Sequence, residues 1–570
     1  MSCRSHSLCL ILCTLGPLGT GLAAAHDRIA CSDLALAQIP DTTVTLAQLN
    51  PATEDPMAPE HCEVIGSIGE RTGFDGKPYA IGFHLRMPVA WNGRFFFQGG
   101  GGVDGFLGNA LGSTGPGQTD NAVSRGYAVV STDAGHQFEF GVPGIGGVLF
   151  GVDPQARVDF GYHALDVTTR VAKRIVELHY GERARYSYFV GCSNGGRQGM
   201  VASQRFPRHF DGIVAGNPGF NLPKAAIAEA WDSQAFGRAA TQVDVGGEPY
   251  LPTSFSFADL ALVANAVLAR CDALDGLGDG IIDNGPACRF DPSVLECPAA
   301  KEPTCLVPEQ VAALQDVFDG ARNSRGRPLY SDWPYDAGIG TPGWRVWKIG
   351  FPAAPGQPLV NNGINLTLGA GALPYVFMTP PDLVSPDGLV SYMFGFDFDR
   401  DAPRIFETSG PYTESSQEFM TAASTDLRGF TRLGNKLIVY HGVSDPVFSV
   451  NDTVRWYRRL LRRTDGRADR FARLFLIPGM NHCGGGPATD QFDALTSIVD
   501  WVERGRAPDV IVATANPASP WPDRTRPLCA FPEQARYRGE GDVDDAANFV
   551  CSTPSDARPR HHGRGHRRHD

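Results

Sequence analysis

Apolar positions follow a regular rhythm in two parts of the chain and lose it in between. Residues 79–87 alternate and 94–98 run apolar, the patterns of a half-buried and a fully buried strand, and 127–132 forms another buried run. Across 160–180, Leu165, Val171, Ile175 and Leu178 recur at spacings of three to six, which predicts an amphipathic helix. A short aromatic and β-branched strand at 186–190 follows, broken by Gly191-Cys192-Ser193-Asn194-Gly195-Gly196 before helix-compatible spacing resumes at 197–204. A further strand at 210–215 closes at Gly216-Asn217-Pro218-Gly219. Strand, helix, strand, turn, helix is the order of a parallel α/β unit.

From about residue 221 to 433, Pro, Gly and aromatic residues accumulate without βα alternation. Roughly two hundred residues are too many for a simple loop, so this stretch reads as an inserted lid domain. The core rhythm returns at 436–440, ending His441-Gly442-Val443-Ser444-Asp445-Pro446, and at 473–477, ending Pro478-Gly479-Met480-Asn481-His482-Cys483. The predicted organisation is a core over 26–220, the lid over 221–433 and the rest of the core over 434–553.

The turn around Ser193 changes the picture from architecture to chemistry. A G-x-S-x-G between a strand and a helix is a nucleophile elbow, in which the two flanking glycines let strand and helix pass closely and hold the serine Oγ exposed above the sheet. By chance the pattern is common in a chain with 67 Gly; the strand before and the helix after give it weight. The fold class that follows is an α/β-hydrolase core with a large inserted lid. Asp445 and His482 come after Ser193 in the order Ser, Asp, His, each just past a predicted strand end, where open α/β sheets place their sites. Asp133 and His136 also end a strand, but they precede the serine and have the wrong order for the acid. The run Gly99-Gly100-Gly101-Gly102 follows an early strand and offers a second oxyanion donor, Gly101, beside the N–H of Asn194. In these roles His482 moves the proton of Ser193 and Asp445 fixes its tautomer. Esters are easier substrates than amides, because an alkoxide leaves more readily than an amine.

Composition narrows the setting. Hydrophobic residues make up 42% and charged residues 20%, as in a globular chain. The net charge of −12 argues against nucleic acid as a partner and leaves a small molecule as the expected one. Arg4, an apolar run over 8–22 and Ala23-Ala24-Ala25 read as a signal peptide, residues 1–25, which predicts a secreted or periplasmic protein. Cys13 follows Leu12 rather than a small residue, unlike a lipoprotein anchor, and no other stretch is long and apolar enough for a membrane span. Of the 13 cysteines, the three at 3, 9 and 13 leave with the signal. The remaining even set, without a C-x-x-C pair, favours disulfides over zinc. Sequence does not fix the pairing; local neighbours suggest Cys31 with Cys62, Cys271 with Cys288, Cys297 with Cys305 and Cys529 with Cys551, which leaves Cys192 and Cys483. The segment 554–570, rich in His and Arg, reads as a disordered tail. A monomer or weak homodimer is the expected state.

Within the lid, 271–283 carries Asp272, Asp275, Asp279 and Asp283 among glycines. This suits either a hard cation with oxygen ligands, calcium above all, or two Asp-Gly turns on a solvated surface. It is not an EF-hand, since Leu277 stands two after Asp275 and no Glu closes the loop.

Together the Gly191-Cys192-Ser193-Asn194-Gly195-Gly196, His441 to Pro446, Gly479 to Cys483 and Asp272 to Ile281 motifs resemble those of the tannase and feruloyl esterase family, over nearly all the chain between signal and tail. The resemblance implies a serine esterase acting on hydroxycinnamic or gallic acid esters and a Cys192–Cys483 bridge that keeps Ser193 and His482 in register. It also implies Ca²⁺ held by Asp272, Asp275 and Asp279 with the carbonyls of Leu277 and Ile281, and an acyl pocket walled by Leu222, His441 and Phe448. Trp333, Trp344, Trp347, Tyr375 and Phe377 could stack on a phenolic ring or form lid core. Family members that cleave mono(2-hydroxyethyl) terephthalate use a lid arginine for the free carboxylate; residues 350–399 contain no Lys or Arg. That absence favours the phenolic esters and leaves the terephthalate monoester as the alternative. A binding protein with a dead site on the same fold is the rival from another class, and the intact Ser, Asp and His argue against it.

Overall fold

In the computed structural model, residues 28–554 are described except 55, 143 and 145. The expected signal peptide and nearly all of the expected tail lie outside these residues. Along the chain come β1 (Thr42–Asn50), β2 (His61–Thr72), β3 (Pro78–Pro88), β4 (Arg94–Gln98) and β5 (Ala128–Thr132). Helix α1 (Ala164–Tyr180), β6 (Tyr186–Cys192), α2 (Asn194–Arg205) and β7 (Gly212–Gly216) follow. After a long insertion come β8 (Lys436–Gly442), α3 (Val450–Arg463), β9 (Ala472–Ile477) and α4 (Ala494–Arg504). The nine strands form one sheet in the order β1-β2-β3-β5-β4-β6-β7-β8-β9. The first three and β5 pair antiparallel, and β5, β4 and β6 to β9 run parallel.

The parallel strands are continuous apolar runs because both faces are covered. Phe95 and Phe97 of β4 point into a core shared with α1, α2 and α3, while Phe96 points into a second core with Ile498 and Trp501 of α4. This two-residue alternation fixes the register of the strand that leads into the glycine run.

Three sets of strands escape the sequence reading. β2 carries buried His61 and Glu63 at one end and Gly66 and Gly69 further on, which interrupt its apolar pattern. β1 is an edge strand with only half-buried or exposed positions, so its pattern carries no core face. Beyond β9, Val510–Thr514 pairs with Thr525–Cys529 and Gln534–Tyr537 with Phe549–Ser552. These pieces are four or five residues long, and exposed Val510, exposed Val512 and Pro527 mask their pattern.

The insertion between β7 and β8 adds no strand to the sheet. It is built from helices including Leu222–Ala239, Phe257–Cys271, Pro308–Asp319, Pro342–Lys348 and Ile364–Ala372 around a core of its own. That core contains Trp333, Trp344, Tyr375 and Phe377. Four of the five lid aromatics are therefore packing residues.

Candidate active site

Ser193 joins β6 to α2 with φ 64° and ψ −125°, a left-handed conformation that costs an L-residue energy and is held by its surroundings. Its N–H donates to Gly216 O at 3.0 Å and its carbonyl accepts from Arg197 N–H at 2.9 Å. A Cβ on Gly191 would lie 2.7 Å from the Gly195 carbonyl carbon, and one on Gly195 would lie 2.6 Å from Gly100 O. Only glycines permit this approach of strand, helix and glycine loop.

The three side chains far apart in sequence meet above the C-terminal ends of β6, β8 and β9. His482 Nε2 lies 2.8 Å from Ser193 Oγ, and Nδ1 lies 3.0 Å from each Asp445 oxygen. Asp445 also accepts from Val447 N–H at 2.8 Å and from Asn217 Nδ2 at 2.7 Å. Burial alone would raise its pKa; the charge of His482 and hydrogen bonds from His441 and His482 outweigh that and hold the carboxyl far below its ordinary range. Asn217, missed in the sequence, carries the strand-end signal that marked the other site residues.

The glycine run divides cleanly. Gly99 N–H donates to Val190 O and Gly100 N–H to Gln198 Oε1, both at 2.9 Å, whereas the N–H groups of Gly101, Gly102 and Asn194 have no protein acceptor among the described residues. No atom stands within 4 Å of where a Cβ on Gly101 would be, so this glycine borders open space.

Around the imidazole, Trp347 packs edge-on at 4.9 Å between ring centres and Phe448 at 5.5 Å. Leu222, Trp347 and Tyr330 pack against the small cluster of Ala225, Val447 and Phe448. Trp347 is thus the one lid aromatic of the five that reaches the triad. His441 is a correction: instead of lining the pocket, it is fully buried beneath Asp445, with Nε2 3.0 Å from Phe448 O and Nδ1 2.8 Å from Thr453 Oγ1. Its position at the buried end of β8 directs the ring into the core. Asp133 and His136 serve the fold. Asp133 accepts from the Gly82 and Gly135 N–H groups, and His136 stacks on Phe150 at 3.7 Å, with burial lowering its pKa to about 3.

Lid residues brace the acid and base loops. Asp336 accepts from Ser444 Oγ and from Gly479 N–H, each at 2.7 Å, and Asn481 Nδ2 donates to Thr341 Oγ1. Cys192 and Cys483 are bonded, with Cα atoms 6.0 Å apart, and the other bridges are Cys31–Cys62, Cys271–Cys288, Cys297–Cys305 and Cys529–Cys551. No helix among the described residues is long and apolar enough to cross a membrane.

In the aspartate loop, Asp272 accepts from Gly280 N–H, Asp275 from Leu277 and Asp283 N–H, and Asp279 from Ile281 N–H. Asp279 also pairs with Arg526 and, at 3.7 Å, Arg524. Burial, with Asp279 and Asp272 adding repulsion, pushes Asp275 up to about 6, and burial with the charge of Asp275 and Asp279 raises Asp283 well above its ordinary value. Among the described residues no three His, Cys, Asp or Glu side chains surround a common metal position. The crowded carboxylates fit a divalent cation only with backbone carbonyls completing the ligand set.

A strained serine elbow on a mixed sheet, with an acid and a histidine at later strand ends, defines an α/β-hydrolase. The tannase and feruloyl esterase family model matches residues 62–552. The chain belongs to that family and is a carboxylic ester hydrolase. It is 48% identical over 530 residues to mono(2-hydroxyethyl) terephthalate hydrolase of Piscinibacter sakaiensis, covering 88% of this chain and 87% of that one. To a probable feruloyl esterase of Arthroderma benhamiae it is 29% identical over 485 residues, covering 82% and 81%. Feruloyl esterase B from Aspergillus oryzae shares the fold with a TM-score of 0.70, at 24% identity over 92% of this chain and 99% of that one.

Proposed function

We propose that this protein is a secreted serine esterase that cleaves esters of aromatic acids through an acyl-enzyme. The observation that carries the reading is the imidazole of His482, 2.8 Å from Ser193 Oγ on one side and 3.0 Å from Asp445 on the other. Ser193 Oγ attacks the ester carbon as His482 Nε2 takes its proton. The developing oxyanion is received by the N–H groups of Asn194 and Gly101, each donor worth about 3 kcal/mol in the transition state. His482 then protonates the leaving alcohol, and water, activated by the same imidazole, releases the acid and restores Ser193.

Leu222, Trp347 and Phe448 form the apolar wall suited to an aromatic acyl group. Hydroxycinnamoyl and galloyl esters are the proposed substrates, because residues 350–399 hold no cation for a free carboxylate. A second reading, a terephthalate monoester, is favoured by the 48% identity to the Piscinibacter sakaiensis enzyme. Ca²⁺ is proposed as a structural ion at Asp272, Asp275 and Asp279, with the Leu277 and Ile281 carbonyls. Five disulfides and the leader-like first residues support export.

Kinetics on methyl ferulate, methyl gallate and mono(2-hydroxyethyl) terephthalate, with wild type and Ser193→Ala, test both parts. Turnover that survives Ser193→Ala, or absence of fluorophosphonate labelling at Ser193, overturns the serine mechanism. A clear preference for the terephthalate ester reverses the substrate order.

A further inference from the structure

Behind the proposed oxyanion donors lies a buried polar network that the hydrolytic steps do not use. The Asp104 carboxylate accepts from Asn194 Nδ2 at 2.5 Å through Oδ1 and from Gln198 Nε2 at 2.8 Å through Oδ2. Gln198 Oε1 in turn accepts the Gly100 N–H at 2.9 Å. The Asp104 N–H donates to Gly101 O at 2.9 Å, closing the turn that carries Gly101 and Gly102, with Asp104 itself at φ 48°. On the far side Arg197 Nε donates to Asn194 Oδ1 at 2.7 Å, and its other nitrogens donate to the carbonyls of Phe160 and Gly161. Asp104, Asn194, Arg197 and Gln198 are all nearly inaccessible to solvent. A Cβ on Gly100 would sit 2.5 Å from Asp104 Oδ2, so the carboxylate presses directly on the glycine run.

We propose that Asp104 is a positioning residue for the oxyanion hole: its carboxylate clamps the glycine turn to the start of the elbow helix, so that the Asn194 and Gly101 amides are held as one unit. The inference rests on the serine esterase reading above. The two proposed donors, Asn194 and Gly101, come from different segments, one from the residue after Ser193 and one from the loop after β4. The backbone ladder between β4 and β6 joins the two segments only as far as Gly99 N–H to Val190 O and reaches neither donor. The Gly100–Gln198–Asp104–Asn194 chain carries the connection on to them, and it has one sense of donors and acceptors. Gln198 must accept from Gly100 and can therefore only donate towards position 104, and Asn194, accepting from Arg197, likewise donates. Position 104 must supply acceptors on both sides, which a carboxylate does and an amide does not. Burial raises the Asp104 pKa to about 6, and the hydrogen bonds from Gln198 and Asn194 and the charge of Arg197 limit that rise. At neutral pH it is thus the anion that the donors hold.

The test is a swap across the Gln198–Asp104 contact. Asp104→Asn sets two donors against each other, and Gln198→Glu sets two acceptors against each other. In the double variant, the carboxylate at position 198 accepts from Gly100 N–H and from the new amide at 104, which still accepts from Asn194. Each single variant is expected to lose about 100-fold in kcat, as for an angstrom-scale misplacement of catalytic groups, with KM within about threefold. The double variant is expected to return to within about fivefold of wild type, since the lost pair is restored. Affinity for an aromatic trifluoromethyl ketone, which forms a tetrahedral oxyanion on the serine, should follow kcat, while affinity for the product acid should not. Single variants that fold and keep wild-type kcat overturn the proposal, as does a folded double variant no faster than the slower single one. If a single variant does not fold, the double variant alone decides, by the same kcat criterion. Retained turnover in Ser193→Ala would instead overturn the serine reading, whatever the swap gives.

Discussion

His441 Nε2 stands 3.2 Å from Oδ2 of Asp445, so the carboxylate that orients one imidazole is itself held by a second, wholly buried one. Thr453 Oγ1 stands at Nδ1, and Nε2 faces two acceptors, Asp445 and the Phe448 carbonyl, so its N–H is directed at them. His441→Ala should therefore lower stability by about 1–3 kcal/mol, the cost of leaving buried partners unsatisfied. It should lower kcat by about tenfold while KM stays near wild type, because the ring orients Asp445 and does not touch substrate. Steady-state kinetics and thermal melts check this; a rise in KM at constant kcat would return His441 to the pocket wall.

The Cys192–Cys483 bridge closes a separation of 291 residues and ties the residue before Ser193 to the residue after His482. Replacing both by Ala should cost about 2–5 kcal/mol of stability, through the freed unfolded chain. The same change should reduce kcat more than any other bridge deletion, since it alone loosens the distance between Ser193 and His482. Comparing melts and kcat for this pair with Cys297→Ala/Cys305→Ala, a bridge across 8 residues in the lid, separates the two effects.

Trp347 meets His482 edge-on and joins Leu222 beside Phe448. Truncating it to Ala should cut kcat/KM for an aromatic acyl ester by about 1.5–3 kcal/mol of transition-state binding, or about 10- to 150-fold. An acetate ester of the same alcohol should lose much less. Equal losses on both esters would mean that the indole serves the imidazole rather than the acyl ring.

The elements that carry Ser193, Asp445 and His482 were legible because each follows a buried parallel strand, where continuous apolar residues end abruptly in glycine and polar turn residues. The glycine run after β4 was legible for the same reason. His441 was misplaced because nearness in sequence to Asp445 does not say which way a strand-end ring turns. Trp347 could not be ranked above Trp333 or Trp344, since the insertion has no period from which to read facing. Asp104 gives only the signal of a lone polar residue in a turn, and Asn217, though it stands at a strand end, has no role in the Ser, Asp, His order; the importance of both comes from partners supplied by distant segments. The edge strand β1 and the C-terminal pairs show no clear core face, and in β2 buried polar His61 and Glu63 obscure it.

Glu229 lies buried in the first lid helix, where desolvation raises its pKa to about 8, partly opposed by Lys348 and reinforced by Asp232. A raised carboxyl keeps its proton in the folded state after the unfolded chain has lost it near its ordinary value of 4.5. Its contribution to stability is therefore full below about pH 4.5 and declines as pH rises towards 8, at about 1.4 kcal/mol per pH unit for one proton. Glu229→Gln should remove that slope, so the variant becomes progressively more stable relative to wild type between pH 5 and about pH 8. Urea unfolding across this range measures the difference; parallel curves would show that Glu229 titrates as it does in the unfolded chain.

The aspartate loop gives the last prediction. Burial together with the charge of Asp279 raises the pKa of Asp272, Asp275 and Asp283, and of these four carboxylates only Asp279 meets the Arg526 and Arg524 guanidiniums directly. Apposed carboxylates of this kind destabilise a loop unless a cation answers them, and glycine-spaced oxygen donors suit Ca²⁺ better than a smaller, stiffer ion. The Cys271–Cys288 bridge brackets the loop and limits how far it can open without a cation. If the proposed Ca²⁺ is bound, chelation should lower the melting temperature by several degrees, with re-added Ca²⁺ restoring it, while KM stays within about twofold because a structural ion at this loop would not touch substrate. Asp275→Asn should abolish the Ca²⁺-dependent increment. Because it also removes one of the repelling charges, the variant should melt above chelated wild type and below the Ca²⁺-loaded protein. A melting temperature indifferent to chelator and to added Ca²⁺ would instead leave the loop as a pair of Asp-Gly turns braced by Arg524 and Arg526.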